Sequence, residues 1–184
     1  LGILAGEICK EASDLGLPMV GVGFMYPQGY FHQRISADGW QEEIYRQLDF
    51  SEAPITPEFS SRWNRTIAEV QLDNRSVHIG VWQMQVGRTT VYLMDTNVEE
   101  NEPQDRQLSA RLYIADRELR IQQEIVLGIG GVRVLRALGI KPAVWHANEG
   151  HAAFMMLERA REEIEEGATF EEAVERVRKT TVFT

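Results

Sequence analysis

Between Thr66 and Asp95 the apolar residues fall into three sets at or near every second position: Ile67, Val70 and Leu72, then Val77, Ile79 and Val81, then Thr89, Val91 and Leu93. A period of two gathers side chains on one face of a pleated strand, which a helical period cannot do. Turn residues at Asp73-Asn74 and Gly87-Arg88 separate the sets, so the stretch predicts an antiparallel meander of three strands. The rest of the chain must be arranged around that sheet.

Upstream, Leu4, Ile8, Ala12 and Leu15 share one helical face, and Gly16 is placed to end the helix. Met19 to Met25 reads as a buried strand in which Gly21 and Gly23 admit either close packing or a ligand. Pro27 to Phe59 has no sustained period, which predicts an irregular excursion with a short helix around Trp40 to Leu48. Past a polar loop at 97–107, Arg117 to Leu138 reads as a helix interrupted by Gly128, Gly130 and Gly131. Each helix glycine costs about 1 kcal/mol against alanine, so three together imply a helix pressed on a neighbouring backbone or a break in it. Pro142 to Trp145 is a candidate strand, and Glu149 to Glu166 a helix ended by Gly167. Thr169 with Glu172 forms a capping box for a last helix reaching Lys179. This alternation predicts an α/β layer with a parallel sheet, and the acid-rich and arginine-rich run Glu158 to Glu166 reads as a solvated helix face.

At 184 residues the chain is expected to form a single domain, 1–184, with 43% hydrophobic residues to build a core. Its 19 basic and 28 acidic residues leave a net charge of −9, which repels phosphate backbones and anionic bilayers. Neither nucleic acid nor membrane is an expected partner. No apolar run approaches the roughly 20 residues of a spanning helix, and the lone Cys9 fits a reducing, cytoplasmic setting.

Chemistry is concentrated in few places. Gly128-Ile129-Gly130-Gly131 lies inside a helical pattern and lacks the spacing of a dinucleotide loop. Leu1-Gly2-Ile3-Leu4-Ala5-Gly6, opening a helix, suits either an anion or a tight turn. His146 and His151 are spaced by five, which is wrong for a zinc helix, and no metal is expected. The segment Trp145 to His151 sits where a strand runs into a helix, a position for ligand contacts or for a capped turn with a satisfied histidine. His32 and His78 read as structural or exposed, and Asp95-Thr96 as a turn or cap.

Several segments together resemble the α-glucan phosphorylases, the glycogen, starch and maltodextrin phosphorylase family. They are Leu1 to Gly6, Ala12 to Pro18, Val20 to Phe24 with Gln28-Gly29-Tyr30-Phe31, Arg117 to Glu124 leading into Gly128 to Gly131, and Asn148-Glu149-Gly150-His151-Ala152-Ala153-Phe154. The likeness is greatest to the shorter bacterial and archaeal branch, though Ile8 stands where related sequences often have a polar residue and Ile114-Ala115 where that branch tends to have Gly-Gly. It implies an internal piece of the N-terminal lobe of a two-lobed GT-B-type, Rossmann-like enzyme, with the meander as an insertion. The first residue and the closing run Thr180 to Thr184 read as cut ends of longer motifs.

The resemblance further implies reversible phosphorolysis of α-1,4-glucans to glucose 1-phosphate, with pyridoxal phosphate on a lysine of the missing C-terminal lobe. It assigns Glu149 and His151 to the catalytic glucosyl site, and Leu1, Gly2 and Asn148 to substrate and phosphate binding. Lys10, Lys141 and Lys179 lie in no cofactor segment, so covalent pyridoxal phosphate is not expected on this chain. The piece is expected to be inactive alone and to self-associate through its exposed lobe face. A noncatalytic carbohydrate-binding or structural module, or a nucleotide-sugar glycosyltransferase lobe, is the alternative.

Overall fold

The computed structural model describes residues 3–29, 32–44, 48–59, 65–111 and 116–184. Expectations for Leu1, Gly2, Tyr30, Phe31, Ile114 and Ala115 lie outside the described residues, as does part of the helix expected at Trp40 to Leu48. The first half carries helix α1 (Ile3–Asp14) and strands β1 (Val20–Phe24), β2 (His32–Ile35), β3 (Gln41–Ile44) and β4 (Ile55–Glu58). Next come β5 (Thr66–Leu72), β6 (Arg75–Val86) and β7 (Thr89–Asp95). The second half is α2 (Arg117–Ile125), a π-helical stretch at Val126–Gly130 and α3 (Gly131–Ala137). After these follow β8 (Trp145–Ala147), α4 (Phe154–Glu165), α5 (Phe170–Lys179) and β9 (Thr181–Phe183).

The period-two stretch folds as the meander it predicts. β5, β6 and β7 pair antiparallel in sequence, β4 joins the β5 edge of β6, and β1 adds in parallel to β7. Alternation along the strands divides the core. Val77, Ile79 and Val81 of β6 with Met94 of β7 face the α2–α3 helix, whose Val126 and Val134 complete that layer. On the opposite face Val91 and Leu93 meet Cys9 of α1 alongside Trp82 and Met84. Helices on both faces of a mixed sheet make an α/β architecture.

The helix predicted around Trp40 to Leu48 is corrected where it is described: Gln41–Ile44 is a strand paired antiparallel with His32–Ile35. The reason is the turn. Gly39 adopts φ 84° beside Asp38, and Ser36 N–H donates to Trp40 C=O at 2.8 Å, which turns the chain back. The strand expected at Pro142 to Trp145 is displaced to Trp145–Ala147 because its register is set by β9, with Trp145 opposite Thr181 in a parallel pair. The helix expected from Glu149 begins as a 3-10 turn at Gly150–Ala152 and becomes α-helical only at Phe154. The capping box forms as expected, with Thr169 accepting from Glu172 N–H and the Glu172 carboxylate accepting from Thr169 N–H.

The glycines of the long helix explain their own cost. A Cβ on Gly128 would stand 2.6 Å from the backbone nitrogen of Met155 and 2.8 Å from the carbonyl carbon of Phe154, so the helix meets the start of α4 backbone to backbone. Gly130 faces the sheet, where a Cβ would press on the ends of Ile79 and Val70. Between them the helix widens into its π-helical turn without leaving helical dihedrals.

One part of the expected solvated face is buried. Glu158 is 2% exposed and bonds in bidentate fashion to Arg133, at 2.8 and 3.2 Å, and to Arg161, at 2.8 and 3.0 Å. A helical pattern alone does not report a guanidinium arriving from another helix. Burial raises the Glu158 pKa, but the hydrogen bonds from Arg161 and Arg133 outweigh it and hold the carboxyl below its ordinary value of 4.5. Because the native value is the lower one, the stabilisation is complete above 4.5 and is lost as pH falls through the native value.

Three substitutions probe these contacts through stability. Gly128→Ala should destabilise by about 1–3 kcal/mol, as overpacking against backbone does. Gly6→Ala, with nothing within 4 Å of its Cβ, should instead stabilise α1 by about 0.5–1 kcal/mol in urea unfolding. Glu158→Gln should cost about 1–3 kcal/mol at neutral pH and leave the variant losing less stability than wild type on acidification. A wild-type acid limb reproduced in the variant would remove Glu158 from the account.

Candidate functional site

The region singled out by sequence lies where β8 ends. Ala147 is buried, and Asn148 and Glu149 are exposed beyond it. The chain is gripped from the side by Thr184, just past β9: its C=O accepts from Glu149 N–H at 2.7 Å, and its N–H donates to Ala147 C=O at 3.1 Å. Its hydroxyl lies 2.7 Å from His146 Nε2. Within that grip Glu149 takes φ 60° and ψ −176°. This region is essentially reserved for glycine and costs about 1–3 kcal/mol for other residues.

The turn that follows delivers His151. Its Nε2 is 3.5 Å from Oε2 of Glu149, and its Nδ1 is 3.5 Å from Oε1 of Glu124 on α2. Each ring nitrogen therefore faces a carboxylate, at distances long for hydrogen bonds. Arg120 Nε donates to the same Glu124 oxygen at 3.1 Å, one helical turn back. Glu149 is 69% exposed at its side chain and Glu124 only 21%, so one carboxylate is offered to solvent while the other supports the ring.

Of the residues expected at the site, Glu149 and His151 are brought together and Asn148 stands beside them, while Leu1 and Gly2 lie outside the described residues. Arg120 and Glu124 were not singled out by sequence. A signal for them existed: Glu124 is one helical turn before Gly128, on the helix face that meets the start of α4. Among the described residues no group of three or more His, Cys, Asp and Glu side chains could hold a metal ion. Asp95 serves as the turn it resembled, accepting from Asn97 N–H at 2.8 Å.

The strain at Glu149 is directly measurable. Glu149→Gly should raise stability by about 1 kcal/mol, strain relief exceeding the added freedom of the unfolded chain. Urea unfolding with an unchanged or lower midpoint would show that the backbone there is relaxed.

No family model matches the chain. Among curated proteins it is 46% identical over 184 residues to a glycogen phosphorylase of Aquifex aeolicus and 47% identical over 184 residues to a maltodextrin phosphorylase of Thermococcus litoralis. It is 45% identical over 191 aligned positions to a glycogen phosphorylase of Mycobacterium tuberculosis. Each match covers 100% of this chain but only 27%, 22% and 22% of the respective relative. Over its whole length the chain is thus homologous to the glycogen and maltodextrin phosphorylases, and it spans between about a fifth and a quarter of the length of these relatives.

Proposed function

We propose that this chain forms part of the N-terminal lobe of a two-lobed, GT-B-type α-glucan phosphorylase, and that it supplies polar groups at the glucosyl site of that enzyme. The whole enzyme reversibly cleaves α-1,4-glucans with phosphate to release glucose 1-phosphate, with retention at the anomeric carbon. The observation that carries the reading is His151 poised between Glu124 and Glu149 just past the carboxyl end of β8. In open α/β layers ligands bind outside the carboxyl ends of strands.

Breaking a glycosidic bond builds positive charge at the anomeric carbon, and a fixed carboxylate nearby favours that transition state over the ground state. Glu149 is the exposed carboxylate and His151, steadied by Glu124, is the polar partner for sugar hydroxyls. Asn148 contributes its side-chain amide, with Leu1 and Gly2 supplying backbone amides to substrate and phosphate. Strain held at Glu149 is consistent with a residue kept in place for a ligand rather than for packing.

Pyridoxal phosphate supplies proton transfer to and from the substrate phosphate in this family. The residues of this chain do not fit its attachment. Lys10 is paired with Glu7 at 2.8 Å, and that hydrogen bond raises its pKa, away from a free amine. Lys179 is paired with Glu175 at 3.3 Å, and Lys141 is exposed before a proline. The reading therefore places the cofactor lysine in the C-terminal lobe. A cytoplasmic setting belongs to the same reading, as does self-association of the isolated chain through exposed apolar residues such as Leu157, Phe170 and Phe183.

In the whole enzyme Glu149→Gln should lower kcat tenfold or more, about 1.4 kcal/mol, with KM for maltodextrin changed less than about twofold. The 184-residue chain alone should release no glucose 1-phosphate. Turnover left unchanged by Glu149→Gln would reduce Glu149 and His151 to structural caps and favour a noncatalytic role.

A further inference from the structure

We infer that Arg159 is a positioning residue for this site, acting at a distance through β9. Arg159 is 8% exposed and its guanidinium sits 4.9 Å from the centre of the Trp145 ring, which Arg136 approaches at 5.5 Å. Arg136 is neutralised by a bidentate pairing with Glu162. Arg159 is held differently. Its Nη1 donates to the Thr181 hydroxyl at 2.7 Å and its Nη2 donates to the Thr180 hydroxyl.

Those hydroxyls are not free acceptors, because each passes its own proton on to the end of α5. Thr181 donates to Val177 C=O at 2.6 Å, and Thr180 to Arg176 C=O at 3.0 Å. The guanidinium thus sits at the negative end of the α5 dipole, linked to its last carbonyls through two threonines. A cation there favours the helix end, and the two donors, set in a rigid plane, fix both threonines relative to α4.

Thr181 opens β9 and Thr180 directly precedes it. Thr180 C=O accepts from Trp145 N–H at 2.9 Å, and Thr181 stands opposite Trp145 in the parallel ladder. That register carries β9 forward so that Thr184 meets both Ala147 and Glu149. A slip or tilt of β9 would release the hydrogen bond on Glu149 N–H, and with it the reason for the strained backbone. Arg159 therefore governs Glu149 without touching it. The inference rests on the proposed role of Glu149 for its catalytic consequence, but the geometric consequence stands apart from it.

The test is carried out in the whole enzyme with two independent lesions, Arg159→Met and Thr181→Val, and with Arg159→Lys and Thr181→Ser as conservative partners. Hydrogen exchange of the peptide containing Glu149 reads the grip, and kcat and KM read its consequence. Arg159→Met and Thr181→Val should each speed exchange at Glu149 at least tenfold and lower kcat about tenfold, with KM within twofold of wild type. Thr181→Ser should keep both near wild type, and Arg159→Lys should fall between. Faster exchange with kcat unchanged would uphold the positioning role and overturn the catalytic reading of Glu149. Exchange at Glu149 unchanged in both lesions, whatever happens to thermal stability, would overturn the positioning role.

Discussion

The contact on which the remaining architecture depends is the close approach of the Gly128 backbone to Phe154 and Met155. No side chain fits there, so the long helix and the start of α4 are fixed at a separation that any Cβ would enlarge. The same helix turns Gly130 toward Ile79 and Val70 and Gly131 toward Val22, which seats it on the sheet. One helix therefore locks two surfaces at once. Because Glu124 lies one turn before Gly128, the separation also sets how near its carboxylate comes to His151. The entropy and propensity costs of glycine are the condition for that geometry rather than a defect in it.

Around this contact the buried charges fix how the second half is assembled. Glu158 on α4 receives Arg133 from α3 and Arg161 from its own helix, while Arg133 Nη1 also donates to Glu69 C=O of β5 at 3.0 Å. Sheet, α3 and α4 are thereby joined by directional bonds in addition to apolar packing. Bonds of this kind contribute modestly to net stability, yet a wrong arrangement leaves a charge unpaired, which penalises alternatives. Trp145, Val132, Leu135 and Met155 fill the space between these polar contacts and the β1 edge of the sheet. The site thus emerges from a layer whose spacing comes from glycine and whose register comes from arginine.

Much of this was legible in the sequence because it is local or periodic. Alternation at Val77, Ile79 and Val81 reports a strand, and Thr169 with Glu172 reports a helix start, whatever else the chain does. The glycines at 128, 130 and 131 announced a close approach but not its partner, since Phe154 is brought there only by tertiary folding. The β2–β3 hairpin escaped because aromatics and acids around Trp40 mask the turn signal at Asp38-Gly39. β8 was displaced because the exposed Val144 reads as a strand residue although the ladder begins at Trp145. Glu158 looked like a surface acid because helical spacing cannot show a guanidinium on another element. At the site, Glu149 and His151 stand out by motif, whereas Glu124 and Arg120 are marked in the sequence only by their spacing from Gly128, and their meeting with His151 comes from tertiary folding.

If glycine spacing and the strained turn form one unit, their effects on stability cannot be independent. The most direct measurement is a double-mutant cycle in urea between Gly128→Ala and Glu149→Gly. An alanine at 128 displaces the start of α4 and relaxes the turn before it, so glycine at 149 should gain less in that background. A coupling energy of about 0.5–3 kcal/mol is expected, the range for structurally connected sites. Additivity within about 0.3 kcal/mol, the behaviour of independent sites, would contradict it.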